Sequence, residues 1–507
     1  MKDGSIRLRK TKTSSGATAV QAVRYIRRKL VVVKHFGSAH APLELEILVR
    51  DGEAWIAQQR TQLPLPITME SSLSSSVVDL DRLTFSDTRH TFAHEMLVQA
   101  LTMLGFTCIL DPVLIDLVVM RLLEPSSKLR AIELLRRHFG IVRGRRTVYR
   151  SLKAFAEYKD VVECQLVACA TKDDALALSL VLYDVTTLYF ESFREDEKEG
   201  ALRKTGFSKD NKPQQPQIVI GLLVTRKGFP LGYGIFKGNT FEGHTMLPVL
   251  AKFRKTHCVE TCTVVADAGM LSFENIEELR KERFSYIVGA RVANLSPKLI
   301  KQITVALGQK DGATIRIQTK NGDLLCSFST ERYRKDKHDM EKQIVRAEAL
   351  VAKGEAGRKA KFVSKKGGTY TFNGKLVEKT KQLLGIKGYV TNIPPEVMNN
   401  QEIITHYRSL WHVEQTFRMA KSDLDMRPIF HHTDNAIRSH VLLCVVTLAV
   451  QKHLEQTTGW SLRRIRDVLL SVTDITLTDT TTGKSFIKRS IFLEDVQSLL
   501  AKLEMSY

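Results

Sequence analysis

The spacing of apolar and polar positions divides the chain into stretches of different period. Residues 1–88 read as β-rich: Ile26–Phe36 carries Leu30-Val31-Val32-Val33, and Leu43–Val49 alternates apolar residues with glutamate as a half-buried strand does. A Ser-rich, non-periodic stretch from Glu70 to Ser76 predicts a loop or linker. From 89 to 175 the period turns helical, with apolar residues three to four apart over Ala93–Leu104 and Pro112–Leu123. A basic helical region begins at Ser126 and Lys128 and runs through Arg150; in it Phe139-Gly140 ends one helix and Thr147 caps the next. Several short helices with a basic face suit a groove-reading module, and equally an ordinary helical domain with a solvated surface.

Residues 176–300 change character again. Leu176–Phe190 is a long apolar strand and Gln217–Thr225 a second, turning at Arg226-Lys227-Gly228 into a third, Pro230–Phe236. Helix His244–Lys255, strand Thr261–Asp267, helix Ser272–Arg283 and strand Phe284–Val288 follow. Three strands joined by hairpins, then helix–strand–helix–strand, is the element order of a ribonuclease-H-like α/β domain. There the first strand is central and the fourth lies parallel beside it. Residues 301–387 interrupt this core with paired strands Thr314–Thr319 and Leu324–Ser329 around Asn321-Gly322-Asp323, a charged helix Arg334–Val351 and a basic loop Arg358–Lys366. The core resumes over 388–455 with a short strand at Tyr389-Val390 and a long helix Asn400–Leu424; 456–507 form a C-terminal region. At about 100° per residue, Tyr407, Trp411, Glu414, Arg418 and Lys421 share one sector of that helix. Leu410, Val413, Phe417 and Leu424 form the neighbouring apolar stripe.

Charge narrows the partner. The 507 residues hold 76 Lys plus Arg against 55 Asp plus Glu, a net +21, which favours phosphate backbones or anionic membrane surfaces. The longest apolar run, Val441–Val450, is too short to span a bilayer, and the charged start Met1–Lys10 lacks the apolar segment of a signal peptide. No membrane role is expected. Nine Lys or Arg among the first 29 residues make either a solvated tail or a DNA-contacting arm. Seven scattered cysteines suit a reducing, cytoplasmic setting, and His257-Cys258 with Cys262 lacks the second ligand pair of a zinc site.

Three acids stand in pointed settings: Asp184 inside the apolar strand, Asp267 in Val264-Val265-Ala266-Asp267-Ala268-Gly269, and Glu414 in the helical row. A carboxylate in an apolar strand must be neutralised by a base, a hydrogen-bond network or a cation. Any one alone fits a structural salt bridge. Together, on so basic a chain, they point to a metal site that cuts or joins DNA. Mg²⁺ takes oxygen ligands, and phosphoryl-transfer sites often hold two ions about 3.5–4 Å apart. Asp184 is then the candidate bridge between ions, with Asp267 and Glu414 as outer ligands.

Tyr407, Trp411, Glu414 and Lys421 resemble the Y-R-E-K signature of DDE insertion-sequence transposases, with Tyr seven before Glu and Lys seven after. Asp184 in Tyr-Asp-Val-Thr-Thr and Asp267 in Val-Ala-Asp-Ala-Gly-Met resemble that family's first and second aspartates. Gly206-Phe207-Ser208-Lys209-Asp210, Gly228-Phe229-Pro230-Leu231 and Gly238-Asn239-Thr240 resemble segments of one branch. The likeness covers residues 90–450. One departure stands out: the signature's Arg belongs three after Tyr407, where this chain has Leu410, with Arg408 and Arg418 as substitutes.

The resemblance implies a retroviral-integrase-like core with an insertion before the third acid, and two Mg²⁺ ions, with Mn²⁺ as a replacement. It implies hydrolysis at the element's inverted repeats, attack of the freed 3′-hydroxyl on target DNA, and a homodimer or larger synaptic assembly. Tyr407, Lys421, Arg408, Arg418 and Lys209 would then contact double-stranded DNA, and Trp411 would stack on a displaced base. Lys204 and Lys212 share the loop of Lys209 and face DNA if that loop rims the site. Two other readings stay open: a structure-selective nuclease on the same core, and a DNA-binding derivative without catalysis.

Overall fold

The computed structural model describes residues 6–26, 29–58, 82–198, 200–270, 272–320, 322–353, 360–366 and 369–505, so the Ser-rich stretch 70–76 and part of the basic loop 358–366 lie outside the described residues. The chain forms two compact units, Met1–Leu80 and Asp81–Tyr507. In the first, β1 (Arg7–Lys12), β2 (Thr18–Ile26) and β3 (Lys29–Ala39) form an antiparallel sheet, so much of the basic N-terminal stretch is strand rather than tail. Leu43–Val49, expected as a strand, lies in a helix, Pro42–Gln58. Pro42 sits at its first position and Glu44 in its first turn, both favourable there. Leu48 packs against Gly37 of β3 and Leu8 of β1 packs against Gly52 of the helix.

The second unit is built on an eight-stranded mixed sheet. Its members are β5 (Leu180–Tyr189), β6 (Gln217–Thr225), β7 (Pro230–Lys237), β8 (Thr263–Ala266), β9 (Ser285–Ala290), β10 (Thr314–Thr319), β11 (Gly322–Phe328) and β14 (Ile386–Thr391). The order across the sheet is β10-β11-β14-β9-β8-β5-β6-β7. β5 pairs antiparallel with β6 and parallel with β8, and β8 pairs parallel with β9. β5 therefore lies parallel beside the fourth strand of the core, β8, as the element order leads one to expect, and stands third from the β7 edge because β14 and the β10–β11 hairpin widen the other side.

The residues between the two core segments do more than interrupt them. β11 pairs with β14 and β14 with β9, so the hairpin expected as part of an insertion widens the main sheet, and Leu324, Cys326 and Phe328 enter its core. A separate small core of Met340, Ala347, Phe362, Val377 and Leu384 gathers helix Thr330–Lys353, the hairpin of β12 (Val363–Lys366) and β13 (Thr369–Phe372), and helix Gly374–Gln382.

Two cores sandwich the sheet because side chains alternate along its strands. Val181, Tyr183 and Val185 face one core, over helices Met246–His257 and Pro297–Leu307. Leu182 and Leu188 face the other, shared with helices Thr91–Met103, Pro112–Leu123, Arg145–Phe155 and Asp434–Thr458. The run Val441–Val450 is buried throughout the last of these, and among the described residues no helix is long and apolar enough to cross a membrane. Helix Arg145–Phe155 begins after Gly144, so Thr147 lies within its first turn instead of capping it. β4 (Leu83–Arg89) pairs with β15 (Asp474–Asp479), which pairs with β16 (Ser485–Arg489).

The long helix expected over Asn400–Leu424 is broken. Helix Asn400–Arg408 ends at Ser409-Leu410, helix Trp411–Arg418 follows, and a wider turn continues over Met419–Asp423. At the break the bonds close over three residues: Leu410 N–H to Tyr407 O at 3.1 Å, His412 N–H to Ser409 O at 2.9 Å and Val413 N–H to Leu410 O at 3.1 Å. Such 3₁₀-type closure turns the chain more tightly than an α-helix. The apolar stripe survives it, with Leu410, Val413, Phe417 and Leu424 all buried.

Candidate active site

Strand register places the two aspartates. Tyr183 of β5 pairs with Ala266 of β8 in parallel, so Asp184 and Asp267 stand one residue further along neighbouring strands, whose backbones run about 5 Å apart. Asp184 shares the face of Leu182, onto which helix Trp411–Arg418 packs through Val413 and Phe417. The helix is pinned by the Thr416 hydroxyl, which donates to Gly228 O at 2.9 Å in the β6–β7 turn. Glu414 rides on its exposed side.

The three acids share one electrostatic field. Burial pushes the Asp184 carboxyl up to about 6, Glu414 and Asp267 push the same way, and the Lys209 ammonium and the Val185 backbone oppose them. Among the described residues no group of three or more His, Cys, Asp or Glu side chains is placed so that it could hold a metal ion. The acids are thus gathered at one place but not drawn into mutual contact. An all-oxygen donor set is the kind Mg²⁺ takes, and a divalent cation would offset the charge of the buried Asp184 carboxylate and its acidic neighbours. By donor type Asp184, Asp267 and Glu414 suit a hard divalent cation, and all three would have to draw closer to share one.

Tyr407 serves the second acid. Its hydroxyl donates to Asp267 Oδ1 at 2.9 Å, and burial together with Asp267 pushes that hydroxyl far above the usual tyrosine range. The ring packs edge-on against Tyr389 at 4.9 Å, and Lys387 lies 5.0 Å over it. Room for the hydroxyl exists because residue 289 is glycine: a Cβ there would lie 2.4 Å from Tyr407 Oη and 3.0 Å from the Ala268 nitrogen.

Lys209 belongs to the site. Its Nζ donates to Val185 O at 2.6 Å and pairs with Glu242 at 3.0 Å, while its backbone N–H donates to Thr187 Oγ1 at 3.1 Å. The loop carrying it is clamped by Gln217, whose side-chain amide donates to Phe207 O and Gly238 O, each at 2.9 Å. Gly238 is required there, since a Cβ would meet Lys204 O and Gln217 O near 2 Å. Gly238-Asn239-Thr240 is a turn closed by Thr240 N–H to Lys237 O at 2.9 Å. Of the other loop lysines, Lys204 donates to Asp196 O at 2.5 Å and Lys212 lies 5.6 Å over the Tyr189 ring.

Lys421 is held rather than free: Asp210 takes it at 3.2 Å and Arg427 at 2.6 Å. Burial, with Arg427 and Lys209 nearby, lowers the Lys421 ammonium despite that partner. Trp411 is 53% exposed and its ring lies 3.8 Å from that of His412. Arg418 and Arg408 are exposed, Arg418 one turn beyond Glu414 on the same helix and Arg408 on the far side of the break. Sequence reasoning missed Asp210, Glu242, Lys387 and Arg427. Asp210 and Glu242 lie in or directly beside the singled-out segments Gly206–Asp210 and Gly238-Asn239-Thr240, which was the available signal; Lys387 and Arg427 carry none.

Residues 177–450, more than half of the chain, match the family described as Transposase DDE domain. A comparison with curated proteins returned no match. Among solved structures, the cryo-EM structure of the piggyBac transposase synaptic complex with hairpin DNA is 11% identical, with 75% of this chain and 69% of that chain covered and a TM-score of 0.36. The Mos1 transposase paired-end complex with left transposon end is 10% identical, with 47% and 66% covered and a TM-score of 0.16. On the family match, which takes in all three acids, the chain belongs to the transposase DDE domain family, and so to the proteins of DNA transposition.

Proposed function

We propose that this chain cleaves the ends of a DNA element and joins the freed 3′-hydroxyl to target DNA, on a ribonuclease-H-like core of the Y-R-E-K type. The observation that carries the reading is the parallel register of Tyr183 with Ala266, which sets Asp184 and Asp267 side by side under the helix of Glu414. Divalent metal is the family's general requirement. Asp184, Asp267 and Glu414 would hold two Mg²⁺ ions, which supply an ionised water or 3′-hydroxyl and offset charge on the leaving oxygen.

The chain's own residues do the rest. Tyr407 fixes the orientation of the Asp267 carboxylate through its hydroxyl. Lys209 places a positive charge beside Asp184, where a scissile phosphate would sit. Arg418, on the turn after Glu414, stands in for the signature Arg absent at Leu410, while Lys421 and Arg408 hold the flanking backbone. Trp411, largely exposed, offers an aromatic face to an unstacked base. A net charge of +21 suits a long phosphate interface, and an element with two ends calls for a dimer or larger assembly.

The test is incubation of the protein with Mg²⁺, element-end DNA and a target plasmid, alongside Asp184→Ala, Asp267→Ala and Glu414→Ala. The wild type should give joined products and each variant none, with DNA binding retained. Nicks without joined products would favour a nuclease, and wild-type activity no greater than that of Asp184→Ala would leave only DNA binding.

A further inference from the structure

Outside the acidic site lies a second, oppositely charged cleft. A cavity of about 410 Å³ lined by Arg121, Ser126, Lys128, Arg427 and His431 adjoins another of about 240 Å³, and Lys128, Tyr149, His431 and His440 border both. Lys128 is buried, yet among the described residues no carboxylate pairs with it: its Nζ meets His440 Nδ1 at 2.9 Å. Arg121 spends its donors on the carbonyls of Leu424, Asp425 and Ser126. The Ser126 hydroxyl is buried with no hydrogen-bond partner among the described residues. Among the described residues the one carboxylate on the lining, Asp425, is exposed. Buried cations without a counter-charge are costly, and an anion in the cleft would relieve them. Two aromatic rings flank it, Tyr149 at 41% exposed and Phe430 at 64%. Arg427 links it to the acidic site through Asp210, which also holds Lys421.

We propose that this cleft binds a phosphate of a DNA strand, with Tyr149 and Phe430 stacking on the adjoining bases. The phosphate is the shared chemistry of nucleic acid and free phosphate, and the two aromatics favour nucleic acid. The inference deepens the DNA reading above and rests on it, but its test needs neither metal nor cleavage.

Titrate the full chain, in EDTA, with inorganic pyrophosphate and with a fluorescent oligodeoxythymidylate hexamer. Compare Lys128→Met, and Leu129→Glu, which places a carboxylate at an exposed position on the cavity lining and disturbs no core. Both variants should weaken pyrophosphate and hexamer at least tenfold while melting as cooperatively as the wild type. Tyr149→Ala should weaken the hexamer about tenfold and leave pyrophosphate unchanged. Pyrophosphate affinity equal in the wild type and Leu129→Glu overturns the site. A hexamer indifferent to Tyr149→Ala overturns DNA as its occupant. Intact cleft binding without cleavage would instead count against the catalytic reading alone.

Discussion

The hydroxyl of Tyr407 donates to Asp267 across 2.9 Å, joining a residue on the helix before the break to the acid at the end of β8. Hydrogen bonds to charged groups contribute about 1.5–3 kcal/mol. Tyr407→Phe keeps the ring packing and loses that bond. Cleavage should fall about 10- to 100-fold, with DNA affinity changed less than threefold. A gel assay beside an anisotropy titration separates the two effects.

The same contact is reachable from beneath. Gly289→Ala would force a methyl group against Tyr407 Oη and the Ala268 backbone. Overpacking of this kind typically costs about 1–3 kcal/mol. The variant should melt earlier than the wild type and lose cleavage to a similar extent as Tyr407→Phe, which thermal denaturation and the same gel assay check.

How far the sequence revealed this site depended on whether the signal was local. β5 and its neighbours were legible because their apolar runs are long and bounded by turn residues, and a hairpin order followed by helix–strand–helix–strand leaves few ways to lay a sheet. The helix break at Ser409-Leu410 was not legible: neither Pro nor Gly marks it, and it arises where the chain turns between packing on β8 and β9 and packing on β5 and β6. Leu43–Val49 was misread because four alternating residues satisfy either period when one helix face is only half buried. The acids stood out one by one, since a carboxylate among valines is conspicuous. Asp210 and Glu242, which pair with the cations around them, lie in polar loops where a further acid is inconspicuous, and only the neighbouring family-like segments pointed to them.

Asp210 holds both Lys421 and Arg427, the cations that the proposed function and the cleft would give to DNA. Asp210→Asn should raise affinity for DNA severalfold at low salt and steepen its salt dependence, because two cations become available to phosphate. It should also lower the melting temperature, since part-buried cations lose their partner. Unchanged affinity would mean that neither cation reaches DNA.

Lys128 predicts a pH effect. Burial, with Arg121 nearby, lowers its ammonium from 10.5 to about 7. Below about pH 7 both folded and unfolded chains carry that proton, and the cost of the buried charge is present in full. Between about 7 and 10.5 the unfolded chain binds one proton more, so this group makes stability rise with pH, by at most about 1.4 kcal/mol per unit. Lys128→Met removes the contribution. Its stability advantage over the wild type should be largest at or below pH 7 and shrink toward pH 10, as denaturant melts at several pH values would show.

The claim on which the account depends is that Asp184, Asp267 and Glu414 close around divalent metal. Mn²⁺ located by anomalous diffraction in crystals of the protein with DNA tests it most directly. The account predicts manganese within about 2.0–2.3 Å of carboxylate oxygens from all three residues. Manganese bound elsewhere, or held without one of the three, would contradict it.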